Sequence, residues 1–160
     1  NQSFNLFLIT ILLPFIVFLF FNFSMFGLPK LFLGDSGSLL LGFIISFILI
    51  YLANKNLVHP ILLAWSVVIF VYEFLSVNLI RLKNNQNPFK AGQDHLHHIL
   101  FKKNKSIFIT NFLISSVNLT LFLIGYFSFV LTGSFISLIL YISLFFIFFI
   151  IRIKYSKNKY

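Results

Sequence analysis

Long apolar segments alternate with short polar ones along almost the whole chain. A membrane-spanning helix needs roughly 20 mainly apolar residues, and five segments reach or approach that length. We expect transmembrane helices over approximately 5–26, 38–53, 60–80, 107–131 and 134–151. The pattern therefore predicts an all-α, polytopic membrane helix bundle of about five spans, forming a single membrane domain over residues 1–160.

One long polar segment, at 81–106, separates the third predicted span from the fourth. Pro88 and Gly92 interrupt it, as these residue types do in loops. Within it, Asp94–Lys102 is predicted to form a short interfacial helix. The apolar side chains expected to touch lipid near this helix are Phe89, Leu96, Ile99 and Leu100.

The composition excludes a soluble domain. The chain is 59% hydrophobic and 9% charged, whereas soluble domains carry about 25% charged residues. It has no cysteine, so disulfide and thiolate chemistry are excluded. The chain does not begin with Met, and no basic segment precedes the first apolar run, as a signal peptide requires. We therefore expect it to be a fragment that lacks its natural start.

The net charge of +9 is compatible with binding to nucleic acid or to an anionic membrane surface, and its distribution favours the membrane. Five spans place eleven of the twelve Lys and Arg residues on one face, and only Lys55 on the other. The positive-inside rule makes the basic face cytoplasmic. That face receives Lys30, the polar loop and the tail Arg152–Tyr160. No nucleic-acid partner is expected.

The stretch Gly34–Ser38 lies where the second predicted span begins, and its Asp35 is one of three acidic residues in the chain. A carboxylate beside a membrane helix is costly to leave unpaired, which favours a functional role. Alternatively, Asp35 or Ser36 caps the helix that follows, as Asp and Ser commonly do. The two interpretations are compatible with each other.

A second concentration of polar side chains is His95-Leu96-His97-His98, preceded by Asp94. The imidazoles are suited to metal binding, to hydrogen bonding with phosphate or to proton transfer near neutral pH; a solvated interfacial cluster is the structural alternative. In a helix, His95 and His98 share a face and His97 points elsewhere. This spacing does not match zinc-finger or metalloprotease patterns.

The third predicted span carries a charge at its end and another inside it. Arg81 closes the span and is expected either to extend towards water or to bind phosphate through its planar guanidinium. Glu73 lies about 10 Å inside the span at 1.5 Å per residue, so it must be paired, protonated or facing a polar cavity. Near the other face, His59 and Trp65 fit an interfacial position.

Taken in order, these polar sites resemble a known family. The segments that carry the resemblance are Leu31–Ser38, Leu41–Phe43, Asn78–Arg81, Asn87–Phe89 and His95–His98. Together they are similar to the polyprenyl-phosphate N-acetylhexosamine-1-phosphate transferases of glycosyltransferase family 4. The His-Leu-His-His form and the preceding Pro-Phe favour the undecaprenyl-phosphate N-acetylglucosamine-1-phosphate branch. The resemblance covers approximately 22–100 and implies the C-terminal half of such an enzyme.

The resemblance implies a reaction at the cytoplasmic face of the bacterial inner membrane, in cell-envelope polysaccharide synthesis. A polyprenyl phosphate attacks the β-phosphate of a UDP-amino sugar, and UMP is released. Mg²⁺ is the implied cofactor. The implied partners are the UDP-sugar, the polyprenyl phosphate and membrane lipid, while a homodimer, the sugar and the pathway stay open. The implied catalytic metal ligand is Asp35, the implied substrate-binding residues are Arg81, His95, His97 and His98, and the residues of uncertain role are Glu73, Ser36 and Asp94.

The chain departs from the family pattern in two ways. Gly92-Gln93 stands where the family usually has Asp-Arg, and the adjacent Asp pair and Asp-Gly-rich motif that lie upstream in the family have no counterpart here. We therefore expect the 160-residue chain to be inactive alone. The alternatives are a transporter fragment and a non-catalytic membrane subunit with a metal-binding loop.

Overall fold

The computed structural model describes residues 2–22, 27–29, 31–88, 92 and 94–157. The expectation of an all-α chain is confirmed, since these residues contain no β-strand. Their helices are α1 (Gln2–Asn22), α2 (Gly34–Asn54), α3 (Pro60–Ser66), α4 (Val68–Lys83), α5 (Leu96–Asn104) and α6 (Ile107–Lys157). The chain divides into two compact units, Asn1–Ile50 and Tyr51–Tyr160. Predictions that concern Lys30, Phe89, Gln93 and positions 23–26 fall outside the described residues.

The first unit contains α1 and most of α2. The Asn22 side-chain amide donates a hydrogen bond to the Leu31 carbonyl at 3.0 Å, which ties the end of α1 to the segment before α2. Gly34 has φ +67°, a value that glycine adopts readily, and α2 begins at this residue. The Ser38 hydroxyl donates to the Gly34 carbonyl at 2.7 Å. The polar stretch therefore forms the first turn of α2 rather than preceding the helix.

In the second unit, α3 and α4 meet at a bend of 76°. A break inside an apolar segment exposes backbone polar groups that must find partners, and the side chain of Asn118 supplies them. Its amide oxygen accepts from the Ile69 N–H at 3.2 Å, and its NH₂ group donates to the Ser66 carbonyl at 3.1 Å. One polar side chain of α6 thus stabilises the bend between two helices.

Helix α6 folds back on itself at Gly133, whose φ of 85° and ψ of 179° are not helical. The Ser137 hydroxyl lies 3.4 Å from the Gly125 carbonyl oxygen. Twelve residues of straight helix would separate these two positions by about 18 Å. Residues 107–132 and 134–157 are therefore two arms of a helical hairpin, and the break lies where the sequence pattern separates the last two predicted spans.

By length and apolar composition, three described helices can cross a membrane, or four if α3 and α4 are counted as one bent span. Helix α6 is counted once here, although its apolar part covers 49 residues. A single crossing needs roughly 20 residues, so the hairpin is long enough for two. The count of five spans stays a prediction that depends on this hairpin.

The core of the second unit surrounds Trp65, which is 0% exposed. Its indole N–H donates to the Ser137 hydroxyl at 3.0 Å, and a Cβ added at Gly125 would come within 2.1 Å of its ring. The Tyr72 hydroxyl donates to the Tyr141 carbonyl nearby. The indole is therefore satisfied inside the protein by Ser137, and the interfacial position of Trp65 stays a prediction.

The start of α3 and the helix α5 differ in how their side chains are placed. His59 is exposed, as expected near a membrane boundary, and its Nδ1 accepts the Ile61 N–H at 3.2 Å to cap α3. Helix α5 lies against α6. The α5 side chains expected to touch lipid are partly buried by the protein itself: Leu96, Ile99 and Leu100.

Candidate functional site

Arg81, in the last turn of α4, forms a two-pronged ion pair with Asp94. Its Nε and Nη2 donate to the two carboxylate oxygens at 2.8 and 2.6 Å, while Nη1 donates to the Pro88 carbonyl at 2.7 Å. The residue is only 7% exposed, so its side chain folds against the loop instead of extending into water. These contacts close the loop between α4 and α5 onto the end of α4.

The pair determines the protonation of Asp94. The hydrogen bonds from Arg81 hold the pKa of this carboxyl below its ordinary value, although partial burial acts in the opposite direction. The guanidinium nitrogens of Arg81 that a phosphate would contact already donate hydrogen bonds within the chain. The predicted contact between Arg81 and substrate stays a prediction, and it would require the guanidinium to exchange partners.

Gly92 lies directly over this ion pair. A Cβ added there would come within 2.5 Å of both Arg81 Nη2 and Asp94 Oδ1, closer than real Cβ contacts allow. The sequence departure at Gly92 therefore coincides with a close approach of backbone to the paired side chains. A larger residue at this position is compatible only with a different arrangement of the pair.

Glu73 is paired, which is one of the three arrangements expected for a carboxylate inside a membrane helix. Its Oε1 accepts the Leu96 N–H at 2.6 Å and a hydrogen bond from Arg152 Nη2 at 3.0 Å. His95 Nδ1 is 3.8 Å from the same oxygen. Arg152 Nη2 also donates to the Asp94 carbonyl at 2.6 Å, so one guanidinium contacts both α4 and the loop.

Sequence reasoning missed Arg152, which it treated as part of the basic tail. The second arm of α6 packs along α3 and α4, and the contacts between them follow one another in the same order along both. They proceed from Trp65–Ser137 through Tyr72–Tyr141 to Glu73–Arg152. A carboxylate inside a span signals the need for a cation. Only this helix register selects Arg152 as that cation.

The three histidine rings form a row at the start of α5, in which His95 stacks on His97 and His98 is tilted against His97. His95 precedes the helix with extended backbone (φ −68°, ψ 151°). The ring centroids of His95 and His97 are 5.7 Å apart with an interplanar angle of 13°, and those of His97 and His98 are 4.2 Å apart. The expectation for a helical segment does not apply to His95, because this residue precedes α5, and its ring stacks on that of His97.

The three rings differ in exposure, and this has a consequence for titration. His97 is exposed, whereas His95 and His98 are partly buried. Partial loss of hydration lowers the pKa of His97, and the charges that His98 and His95 carry when protonated lower it further. The neutral ring is therefore favoured at His97 in the folded chain.

The described carboxylates give limited support to a metal site. Within the described ranges, no group of three His, Asp or Glu side chains is arranged to hold a metal ion. Asp94 binds Arg81 and Glu73 binds Arg152. Asp35 and Ser36 are exposed in the first turn of α2. Since Mg²⁺ often takes one or two carboxylates with phosphate and water, Asp35 fits a single protein ligand.

Within the second unit, the structure brings together most of the residues that the sequence singled out: Glu73, Arg81, Asp94, His95, His97 and His98. Asp35 and Ser36 belong to the first unit. The assembled group offers two buried guanidinium groups, each paired with a carboxylate, close to a partly exposed row of imidazoles. Such rings can donate hydrogen bonds to an anion or transfer a proton near neutral pH.

Part of the chain is similar to bacterial enzymes named undecaprenyl-phosphate alpha-N-acetylglucosaminyl 1-phosphate transferase. The Yersinia pestis enzyme is 29% identical over 75 residues, or 46% of this chain and 20% of the relative. The Pasteurella multocida enzyme is 32% identical over 76 residues, or 46% and 21%. The Escherichia coli K12 enzyme is 28% identical over 75 residues, or 46% and 20%.

The matched part of the chain spans about a fifth of the length of these curated relatives. No family model and no solved structure matches the chain. The resemblance drawn from the motifs is nevertheless confirmed for this part of the chain, which is similar in sequence to transferases of that name.

Proposed function

We propose that the protein containing this chain transfers N-acetylhexosamine-1-phosphate from a UDP-sugar to a polyprenyl phosphate in cell-envelope polysaccharide synthesis. The observation that carries the proposal is the similarity to transferases of that name. The polar cluster of the second unit supports it, because imidazoles beside buried guanidinium groups suit an anionic substrate. An oxygen of the polyprenyl phosphate forms a bond to the β-phosphorus, and the bond from that phosphorus to the UMP oxygen breaks.

His97 and His98 are the side chains proposed to contact the diphosphate. Both belong to the row at the start of α5, and His97 is exposed. Because the neutral form of His97 is favoured, this ring offers one N–H donor to a phosphate oxygen and one nitrogen that can accept a proton. Arg81 supports them indirectly, since its pairing with Asp94 fixes the residue that precedes the histidines.

Mg²⁺, when bound, would neutralise negative charge on the diphosphate, and Asp35 is the described carboxylate proposed as one of its ligands. Glu73 and Asp94 are already paired with arginines, so they do not complete a metal site. We infer that further carboxylates come from polypeptide outside these 160 residues and that the chain alone does not turn over substrate. The basic loop and tail are proposed to face the cytoplasm, as the positive-inside rule indicates.

The test is UMP release from UDP-N-acetylglucosamine and undecaprenyl phosphate, measured for the full-length gene product in membranes and for the 160-residue chain. We expect turnover in the full-length product only, and a rate about 100-fold lower on Asp35→Asn, as for the loss of one charge-stabilising group. Lys55→Gln, on the opposite predicted face, is the control that changes charge without changing rate.

Each result decides one part of the proposal. No UMP release from the full-length product would overturn the transferase assignment. Turnover by the 160-residue chain would overturn the claim that its site is incomplete. A near-normal rate for Asp35→Asn would remove this carboxylate from the metal site.

A further inference from the structure

Arg152 connects three segments at one buried point. It lies in the last part of α6 and is 3% exposed. Its Nη2 atom donates to Glu73 Oε1 of α4 at 3.0 Å and to the Asp94 backbone carbonyl at 2.6 Å. The same Glu73 oxygen accepts the Leu96 N–H at 2.6 Å. The backbone on both sides of His95 is therefore held by one ion pair.

This pair is better explained by positioning than by stability. Glu73 Oε2 and Arg152 Nε are buried and make no hydrogen bond within the described part of the chain. A buried ion pair whose polar atoms are incompletely satisfied recovers little of the cost of removing its charges from water. The satisfied atoms, in contrast, are those that contact the Asp94–Leu96 backbone.

The contacts of the pair also hold the backbone before and after His95, an arrangement we call a clamp. The Asp94 carbonyl accepts from Arg152 and the Leu96 N–H donates to Glu73, so each member of the pair holds one of the two peptide groups that flank His95. His97 and His98 follow within the first turn of α5. A shift of this backbone would disturb all three rings, because His95 stacks on His97 and His97 contacts His98.

We propose that Arg152 is a positioning residue for the His95–His98 segment and acts through Glu73. The pair holds the Asp94 and Leu96 backbone so that His97 and His98 face the diphosphate of the substrate. This inference rests on the proposed function and adds a residue from the last helix to the site. Misplacement of a catalytic group by about 1 Å can cost roughly 100-fold in rate.

The first test is independent of activity: amide hydrogen exchange in the intact protein, in detergent or nanodiscs. Arg152→Gln is expected to increase exchange in the peptide that contains the Leu96 N–H, because its acceptor Glu73 loses its partner. Lys154→Gln is the matched control, since it removes the same charge from an exposed residue of α6 and is expected to leave that exchange unchanged. Unchanged exchange in Arg152→Gln would overturn the clamp.

The second test is kinetic and uses full-length protein normalised to the folded fraction. Arg152→Gln and Glu73→Gln are each expected to lower kcat/KM by about 100-fold, and the double variant no further, because both changes release the same segment. Arg152→Lys keeps a cation and is expected to restore part of the rate, which also covers the case in which Arg152→Gln does not fold. A purely structural role predicts less folded protein but a normal kcat/KM.

The two tests separate the two proposals. If wild-type protein releases no UMP, the proposed function fails, and the exchange result alone decides whether Arg152 holds the segment. If wild-type protein is active but the single variants keep their kcat/KM, the transferase assignment stands and the positioning role is rejected. Additive losses in the double variant would also reject it, since they would mean that the two residues act separately.

Discussion

Two regions of the second unit are stabilised by different forces. Around Trp65, large side chains of α3, α4 and both arms of α6 pack together, and the indole is paired with Ser137. Around Glu73 and Arg81, the charged side chains form ion pairs with one another, and these pairs hold the segment before α5 in place. The Trp65 region is expected to determine whether the hairpin forms, and the charged region to determine where the histidines lie.

The largest effect is expected in the Trp65 region. Trp65→Ala removes a fully buried side chain and leaves the Ser137 hydroxyl without its donor, so we expect a loss of about 3–5 kcal/mol in unfolding free energy. Phe70→Ala is the control, since Phe70 in the same bundle is 66% exposed. Circular dichroism during unfolding in detergent measures both. Equal losses for the two variants would mean that the region around Trp65 is not the core.

The next effect concerns the charged region and uses a pair of glycine substitutions. Gly92→Ala places a Cβ within 2.5 Å of the Arg81–Asp94 pair, and overpacking of this kind typically costs about 1–3 kcal/mol. Gly42→Ala, in α2, meets no atom within 4 Å and is expected to be neutral or slightly stabilising because alanine favours helix.

The same unfolding measurement distinguishes the two glycine variants. Hydrogen exchange at the start of α5 should increase for Gly92→Ala and stay constant for Gly42→Ala. If Gly92→Ala changes neither the unfolding free energy nor the hydrogen exchange, the ion pair does not pack closely against the Gly92 backbone. The charged region would then be less tightly packed than the Trp65 region.

The two regions also differ in how far the sequence predicts them. Apolar segment length predicts the helices, and the division of the last apolar run agrees with the break at Gly133. Hydropathy contains no information about partners, so it does not predict that the Trp65 indole bonds to Ser137. The position of Glu73 inside a span predicts that it needs a partner. That partner, Arg152, lies 79 positions away in sequence and is determined by the relative register of two helices. Long-range register is not encoded in any local pattern.

A smaller effect is a dependence of stability on acid in the charged region. Arg81 lowers the pKa of Asp94 in the folded chain, so the stabilisation is complete above the ordinary carboxyl pKa of about 3.9 and is lost as the pH falls through the lower folded value. Wild-type protein should therefore lose thermal stability more steeply than Asp94→Asn below about pH 4. Parallel curves for the two proteins would show that the pair does not contribute in this way.

The smallest effect is expected from His97, whose folded pKa lies below its ordinary value. The unfolded chain then binds more protons than the folded chain between the folded value and the ordinary pKa of about 6.5, so stability decreases as the pH falls through this window and becomes constant below it. His97→Gln should remove this decrease. Because His97 is exposed, the difference should be small and should shrink further in high salt.

The comparison is sharpest when Trp65→Phe is measured over the same range near neutral pH, because neither tryptophan nor phenylalanine titrates. Trp65→Phe should shift the melting temperature by the same amount at every pH, whereas His97→Gln should change the slope. A constant offset for His97→Gln would show that the histidine row does not couple protonation to folding. The charged region would then differ from the Trp65 region in its contacts but not in its response to pH.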